Sequence, residues 1–115
     1  MLRRIHARLA AVYIDCDDFE AFIRRWDRPG TLFYIDPPYH GCERYYGAGL
    51  FERADFERLA GVLRGLSGRF LLSLNDAPEV HQTFSSDAFR VERIETTWQL
   101  NCAQRITELL ITDSR

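Results

Sequence analysis

Four consecutive residues offer the clearest chemistry in this sequence, namely Asp36-Pro37-Pro38-Tyr39. They follow the apolar run 32–35, which is too short for an ordinary helix and predicts a buried strand. Proline lacks an N–H and restricts the residue before it, so the strand must stop there in a stiff conformation. A carboxylate, two main-chain carbonyls and an aromatic ring then stand at the carboxyl end of a strand, where ligands bind in open α/β sheets. This arrangement suits a planar amine, although aspartate and proline are also common in rigid surface turns.

An amino group on a nucleobase is one such planar amine, and it is a poor nucleophile because its lone pair is delocalised into the ring. Asp36 and the carbonyl of Pro37 could each accept one N–H bond, which would draw the nitrogen toward tetrahedral geometry and free the lone pair to attack a methyl group. Tyr39 could stack on the base. A base inside a duplex would have to be flipped out to reach these groups.

Helices and strands alternate along the rest of the chain. Apolar spacing predicts helices near residues 2–9, 19–26 and 56–66 and a short one ending near 84, with strands at 11–14, 31–35, 69–74, 90–100 and 105–112. This order predicts an α/β fold with a mostly parallel sheet, helices on both faces and a terminal antiparallel hairpin.

Composition indicates an ordinary soluble domain of 115 residues with a net charge of −2. No segment is long enough to span a membrane and the start has no signal-peptide core, so a cytoplasmic protein is expected. The basic residues are all arginine, which is more simply explained by a GC-rich coding sequence than by nucleic-acid binding. The three cysteines and three histidines lack ligand spacing, so neither a disulfide framework nor a metal site is predicted.

The segment 32–39 resembles the catalytic motif of the Dam-type, amino-group DNA adenine methyltransferases, which use S-adenosylmethionine. The residues Tyr45-Tyr46-Gly47 with Phe51, and the segments 55–59, 68–76 and 108–111, resemble successive later parts of those enzymes. The resemblance covers nearly the whole chain. It implies a Rossmann-like methyltransferase sheet and transfer of a methyl group to the amino nitrogen of an adenine flipped out of double-stranded DNA.

The resemblance also implies roles for individual residues. Asp36, Pro37 and Tyr39 match the positions that hold and stack the target adenine, and Asp36 also borders the cofactor. Asp18 and Phe19 resemble the acidic-aromatic pair that recognises the adenine of S-adenosylmethionine. From the residues alone, the favoured interpretation of Asp18 is the N-cap of a helix with Phe19 as its first core residue, and the two roles are compatible.

Six further residues are candidates to line the base pocket. Each has a structural alternative: a packed loop for the two tyrosines, a helix start for the Asn-Asp pair, and a core position for the tryptophan. The candidates are Pro38, Tyr45, Tyr46, Asn75, Asp76 and Trp98.

The chain departs from the family at its amino-terminal side. The family's glycine-rich Phe-x-Gly-x-Gly cofactor loop has no counterpart, because all seven glycines lie at or after Gly30. Residues 1–115 are therefore expected to form the carboxyl-terminal portion of one catalytic domain, from the third strand onward. The amino-terminal half or another chain would complete the sheet. An inactive remnant or binding module, and methylation of cytosine, RNA or a protein amide, remain alternatives.

Overall fold

The computed structural model describes residues 1–47, 49–98 and 104–115, and gives no side-chain description for Tyr46, Trp98 and Gln104. Within these ranges the chain forms α-helices, β-strands and one 3-10 turn. In chain order they are α1 (Leu2–Leu9), α2 (Phe19–Trp26), β1 (Leu32–Ile35), the 3-10 turn Glu43–Tyr46, α3 (Arg53–Arg64), β2 (Arg69–Asn75), α4 (Pro78–Thr83), β3 (Phe89–Trp98) and β4 (Gln104–Asp113). No helix in this part of the chain has the length and apolar character needed to cross a membrane.

The described strands form one sheet in the order β1-β2-β4-β3. Strand β1 pairs with β2 in parallel through the crossover helix α3, whereas β4 is antiparallel to both β2 and β3. The expected terminal hairpin is confirmed, but the expected mostly parallel sheet is not, because only one of the three strand pairs is parallel. The reason is the position of the hairpin: β4 inserts between β2 and β3, so both of its ladders run antiparallel.

One face of the sheet carries the core. Side chains alternate along β2, so Phe70, Leu72 and Leu74 share this face, and the pairing places Phe33, Leu109 and Ile111 beside them. Buried residues of α2, α3 and α4 belong to the same apolar cluster. The prediction of helices on both faces is therefore wrong for the described residues, since α2, α3 and α4 pack on one face and α1 contributes no buried residue.

The opposite face, termed the open face, is exposed at β1. Leu32 and Tyr34 keep 71% and 67% of their surface accessible, and only Phe33 of this strand is fully buried. The prediction that 32–35 is a buried strand is thus wrong. Within the described residues, β1 is an edge strand with a neighbour on one side only.

The predicted strand at 11–14 is absent. Val12, Tyr13 and Ile14 are exposed and follow α1 as irregular backbone, although the Tyr13 ring packs against Trp26 with centroids 5.4 Å apart. A strand needs a hydrogen-bonded neighbour, and these residues pair with no strand in the described part of the chain. The local apolar pattern is therefore insufficient to form it.

A carboxylate fixes β1 beside β2. Asp27 follows α2, and its side chain accepts hydrogen bonds from the backbone N–H groups of Ser67, at 2.9 Å, and Gly68, at 2.8 Å. The bond from Ser67 is the largest cause of a lowered pKa for Asp27. Glycine is required at position 68, because a Cβ there would lie 2.6 Å from the carbonyl oxygen of Thr31. The strand that carries the motif is thereby held in register at its start.

Candidate active site

Two clefts meet at the carboxyl end of β1. We call one the Phe19 cleft: its cavity volume is about 350 Å³, and its lining includes Phe19, Phe22, Asp36, Pro37 and Pro38. The other, the Tyr39 cleft, has a volume of about 370 Å³ and is lined by Tyr34, Asp36, Pro37, Tyr39, Cys42, Tyr45, Ser73 and Glu108. Tyr34, Asp36 and Pro37 border both clefts. Each volume lies at the small end of the range for ligand pockets.

The Tyr39 cleft is acidic and aromatic. Asp36 and Glu108 contribute carboxylates, and the rings of Tyr34, Tyr39 and Tyr45 face the same space. Among the described lining residues none is cationic. Such a wall accepts hydrogen bonds and repels anions, so it suits an aromatic ligand that presents N–H donors.

The motif is held from the neighbouring strands. The buried Ser73 hydroxyl, on β2, donates a hydrogen bond of 3.1 Å to Asp36 Oδ1. The Tyr39 hydroxyl donates to Glu108 Oε1, on β4, at 2.6 Å. These contacts fix the carboxylate and the aromatic ring relative to the sheet.

Ser73 and Glu108 were not identified from the sequence. Ser73 could have been noticed because it is a polar residue inside the apolar run 69–74, and strand alternation places it on the same face as Asn75. Glu108 could have been suspected only if β4 were known to lie next to β2, since the bond to Tyr39 spans 69 residues.

The prediction that Asn75 and Asp76 line the pocket needs correction. Neither belongs to the lining of the two clefts. The Asn75 side chain instead accepts from the backbone N–H of His40, at 2.8 Å, and donates to its carbonyl, at 3.1 Å. Asp76 points elsewhere and contacts His81 and Arg93, so its carboxylate is already paired.

The remaining candidates fall in three places. Pro38 lines the Phe19 cleft, and Tyr45 lines the Tyr39 cleft while remaining 85% exposed. The side chains of Tyr46 and Trp98 lie outside the described residues.

Asp18 is the N-cap of α2, as one of the two sequence interpretations predicts. Its carboxylate accepts the backbone N–H of Glu20 at 3.1 Å. It also accepts two bonds from Arg58 of α3, at 2.8 and 2.9 Å, and this contact is the main cause of a lowered pKa for Asp18. The guanidinium lies 4.2 Å from the centre of the Phe19 ring, so one arginine contacts both members of the acidic-aromatic pair. Phe19 lines the Phe19 cleft, whereas Asp18 does not belong to its lining.

Two more carboxylates border the Phe19 cleft. Asp15 and Asp17 line it, and each forms an ion pair with Arg25 at 2.6 Å. The pKa of Arg25 is raised, chiefly by the charge of Asp17. In the described part of the chain, no group of three or more histidine, cysteine or acidic side chains could hold a metal ion.

Comparison with known proteins agrees with the chemistry of this site. The sequence model of the family described as D12 class N6 adenine-specific DNA methyltransferase matches residues 1–100. A search of curated proteins finds none that matches the chain. The match covers the acidic-aromatic pair, the motif and the strand that supports it. The chain therefore belongs to the D12 class of N6 adenine-specific DNA methyltransferases.

Proposed function

We propose that this chain forms the acceptor side of an adenine methyltransferase site, which receives a flipped adenine of double-stranded DNA in the Tyr39 cleft. The observation that carries this proposal is the position of Asp36 and Pro37 between two clefts. Group transfer brings a donor and an acceptor together at one point, and two clefts that meet at a carboxylate meet this requirement.

The Tyr39 cleft suits the acceptor. The Asp36 carboxylate and the Pro37 carbonyl accept the two N–H bonds of the adenine amino group, and the Tyr39 ring stacks on the base. The bond from the amino nitrogen to the methyl carbon would form as the carbon–sulfur bond of the sulfonium breaks, and S-adenosylhomocysteine would leave as a neutral thioether. The positive charge would pass to the nitrogen, where Asp36 would stabilise it until the nitrogen loses a proton to solvent. The hydrogen bond from Ser73 orients Asp36 for this role. The absence of cations among the described lining residues disfavours a phosphate in the same place.

The Phe19 cleft has groups that suit S-adenosylmethionine, which supplies a methyl group activated by a sulfonium when it is bound. The rings of Phe19 and Phe22 offer apolar contact area for an adenine, and Asp36 lies where this cleft meets the Tyr39 cleft. We assign the cofactor to this cleft, with Phe19 on the side of its adenine and Asp36 on the side of the methyl group. Asp18 lies beside the cleft, where its bonds to Arg58 support Phe19 from α3.

We further propose that residues 1–115 act as the carboxyl-terminal portion of a catalytic domain whose sheet is completed by an amino-terminal half or by another chain. Three observations support this. The edge strand β1 lacks a second neighbour within the described residues, and Leu32 and Tyr34 leave apolar surface exposed on the open face. The sequence also lacks the family's glycine-rich cofactor loop. The lack of that loop also favours the second candidate, a module that binds DNA but does not hold the cofactor by itself.

Calorimetry with S-adenosylmethionine and the chain alone tests whether this chain holds the cofactor by itself. Measurable binding supports a cofactor site in this chain and refutes the binding module, whereas undetectable binding at millimolar cofactor refutes catalysis by the chain alone. A methyl-transfer assay with the completed enzyme then tests the acceptor. Labelled methyl groups are expected on an adenine-containing duplex and not on a matched adenine-free duplex, and label on the latter would indicate a cytosine-directed enzyme.

The variant Asp36→Ala tests the assigned role of the carboxylate. Transfer is expected to fall by a factor of about a hundred or more, because a charge-stabilising group at the reacting atom is lost. Affinity for the cofactor is expected to change little, since the cleft that holds its adenine is intact. Equal transfer by wild type and Asp36→Ala would refute the role.

A further inference from the structure

Glu108 holds the aromatic ring of the motif although it is remote from it in sequence. It lies on β4 directly opposite Asn75 on β2, in the same rung of the ladder. The two side chains bind consecutive residues. Glu108 accepts a hydrogen bond of 2.6 Å from the Tyr39 hydroxyl, and Asn75 makes two hydrogen bonds to the backbone of His40. One rung of the sheet thus anchors both the end of the Tyr39 side chain and the backbone beside it.

This double anchoring matters for a stacking surface. A tyrosine ring can change its orientation through two side-chain torsions, and a base that stacks on it must first restrict that freedom. The bond from the Tyr39 hydroxyl to Glu108 Oε1 is 2.6 Å long, which is short for an O–H···O hydrogen bond. With the adjacent His40 backbone and the Tyr39 hydroxyl both held, the ring is oriented before a ligand arrives.

We infer that Glu108 is a positioning residue, which orients Tyr39 as the stacking surface for the acceptor base. The inference rests on the proposed function for its ligand and on the geometry alone for the anchoring. Glu108 acts as a hydrogen-bond acceptor in this role, so a neutral acceptor of similar size can replace it. A role through its negative charge could not be filled in that way.

The anchoring is tested without any ligand. Protein carrying ¹³C-labelled tyrosine is prepared as wild type, Glu108→Ala and Glu108→Gln, and Tyr39 is assigned with the Tyr39→Phe variant. The Tyr39 ring signals are expected to shift and to report faster ring motion in Glu108→Ala, and to stay near wild type in Glu108→Gln. An exposed acid of the adjacent strand provides the matched control, Glu95→Ala, which should leave these signals unchanged. Unchanged Tyr39 signals in Glu108→Ala would overturn the inference.

The consequence for the ligand is measured with a single-stranded oligonucleotide that contains 2-aminopurine, a fluorescent adenine analogue quenched by stacking. Glu108→Ala and Tyr39→Phe are each expected to weaken binding by about tenfold, because part of the stacking contribution is lost. The double variant should be no weaker than either single variant, since both remove the same bond. Glu108→Gln should bind within about twofold of wild type.

The outcomes are decisive in each direction. The positioning role would be overturned if the double variant lost as much affinity for the probe as the two single variants combined. It would also be overturned, in favour of a role for the negative charge, if Glu108→Gln lost as much affinity as Glu108→Ala. Tyr39 signals that respond to Glu108→Ala while wild type fails to bind the probe would uphold the anchoring and refute the assigned ligand. Failure of the inference and failure of the proposed function are therefore distinguishable. Thermal unfolding is measured for every variant, to check that each protein is folded under the assay conditions.

Discussion

Replacement of Asp27 by alanine is expected to destabilise the chain by about 1.5–3 kcal/mol. The carboxylate accepts the backbone N–H groups of Ser67 and Gly68 at 2.9 and 2.8 Å. Ser67 is exposed and can bond to water instead, so its loss costs little. Gly68 is buried, and a buried donor that loses a charged acceptor costs about 1.5–3 kcal/mol. This is a substantial share of the roughly 5–15 kcal/mol that stabilises a typical domain.

The pH dependence of this effect has a defined sign. The pKa of Asp27 is lowered in the folded chain, chiefly by the bond from Ser67. A lowered pKa stabilises the fold at pH values above the unfolded value of about 3.9, and the contribution is lost as the pH falls through the folded value. The difference between wild type and Asp27→Ala is therefore expected to be full near neutrality and to shrink below about pH 4.

Urea unfolding followed by tryptophan fluorescence measures both effects, because Trp26 precedes Asp27 directly. Asp27→Asn keeps one acceptor oxygen and should lose about half as much stability. The exposed Asp87 gives the matched control, and Asp87→Ala should stay within about 0.5 kcal/mol of wild type. A loss of less than about 0.5 kcal/mol in Asp27→Ala, or a loss that stays constant from neutral to acidic pH, would refute the reasoning.

Three further substitutions test other contacts. Gly68→Ala should destabilise the chain by about 1–3 kcal/mol or more in urea unfolding, because its Cβ would lie 2.6 and 2.8 Å from two backbone carbonyl oxygens; unchanged stability would contradict this. Arg58→Ala should lower the free energy of unfolding by only about 0.5–1.5 kcal/mol, because the contacts of Arg58 with Asp18 are partly exposed. This loss should decrease in high salt, and a loss that does not depend on salt would indicate packing instead of charge. Ser73→Ala should change the free energy of unfolding by less than about 1 kcal/mol. In the completed enzyme it should lower methyl transfer about tenfold, because Asp36 loses the hydrogen bond that orients it, and full activity would refute that role of the bond.

Local sequence signals predicted the elements that are defined by their own apolar periodicity or by capping residues. The helices α1, α2 and α3 lie close to their predicted ranges, since each has regularly spaced apolar residues. The position of the motif strand was also predicted correctly, because the two prolines fix where it ends, although its burial was not. For the candidate site, the sequence identified Asp36, Pro37 and Tyr39, which lie together around the Tyr39 cleft.

Features that depend on distant partners were not predictable in this way. The apolar run at 11–14 suggested a strand, but β-structure needs a paired neighbour that local pattern cannot supply. The antiparallel insertion of β4 was missed because alternation of elements says nothing about strand order. Glu108 was missed for the same reason, since its relation to Tyr39 exists only once β4 lies beside β2.

The way the motif is held also determines when the site can form during folding. The side-chain contacts of Asp36 and Tyr39 with the sheet span 37 and 69 residues, so they close large loops rather than local turns. Contacts of this kind form late, because the entropy of loop closure must be overcome before they contribute. The Tyr39 cleft is therefore assembled only when β4 pairs with β2. A nascent chain whose β4 segment has not yet emerged from the ribosome would carry the intact motif sequence without an ordered site.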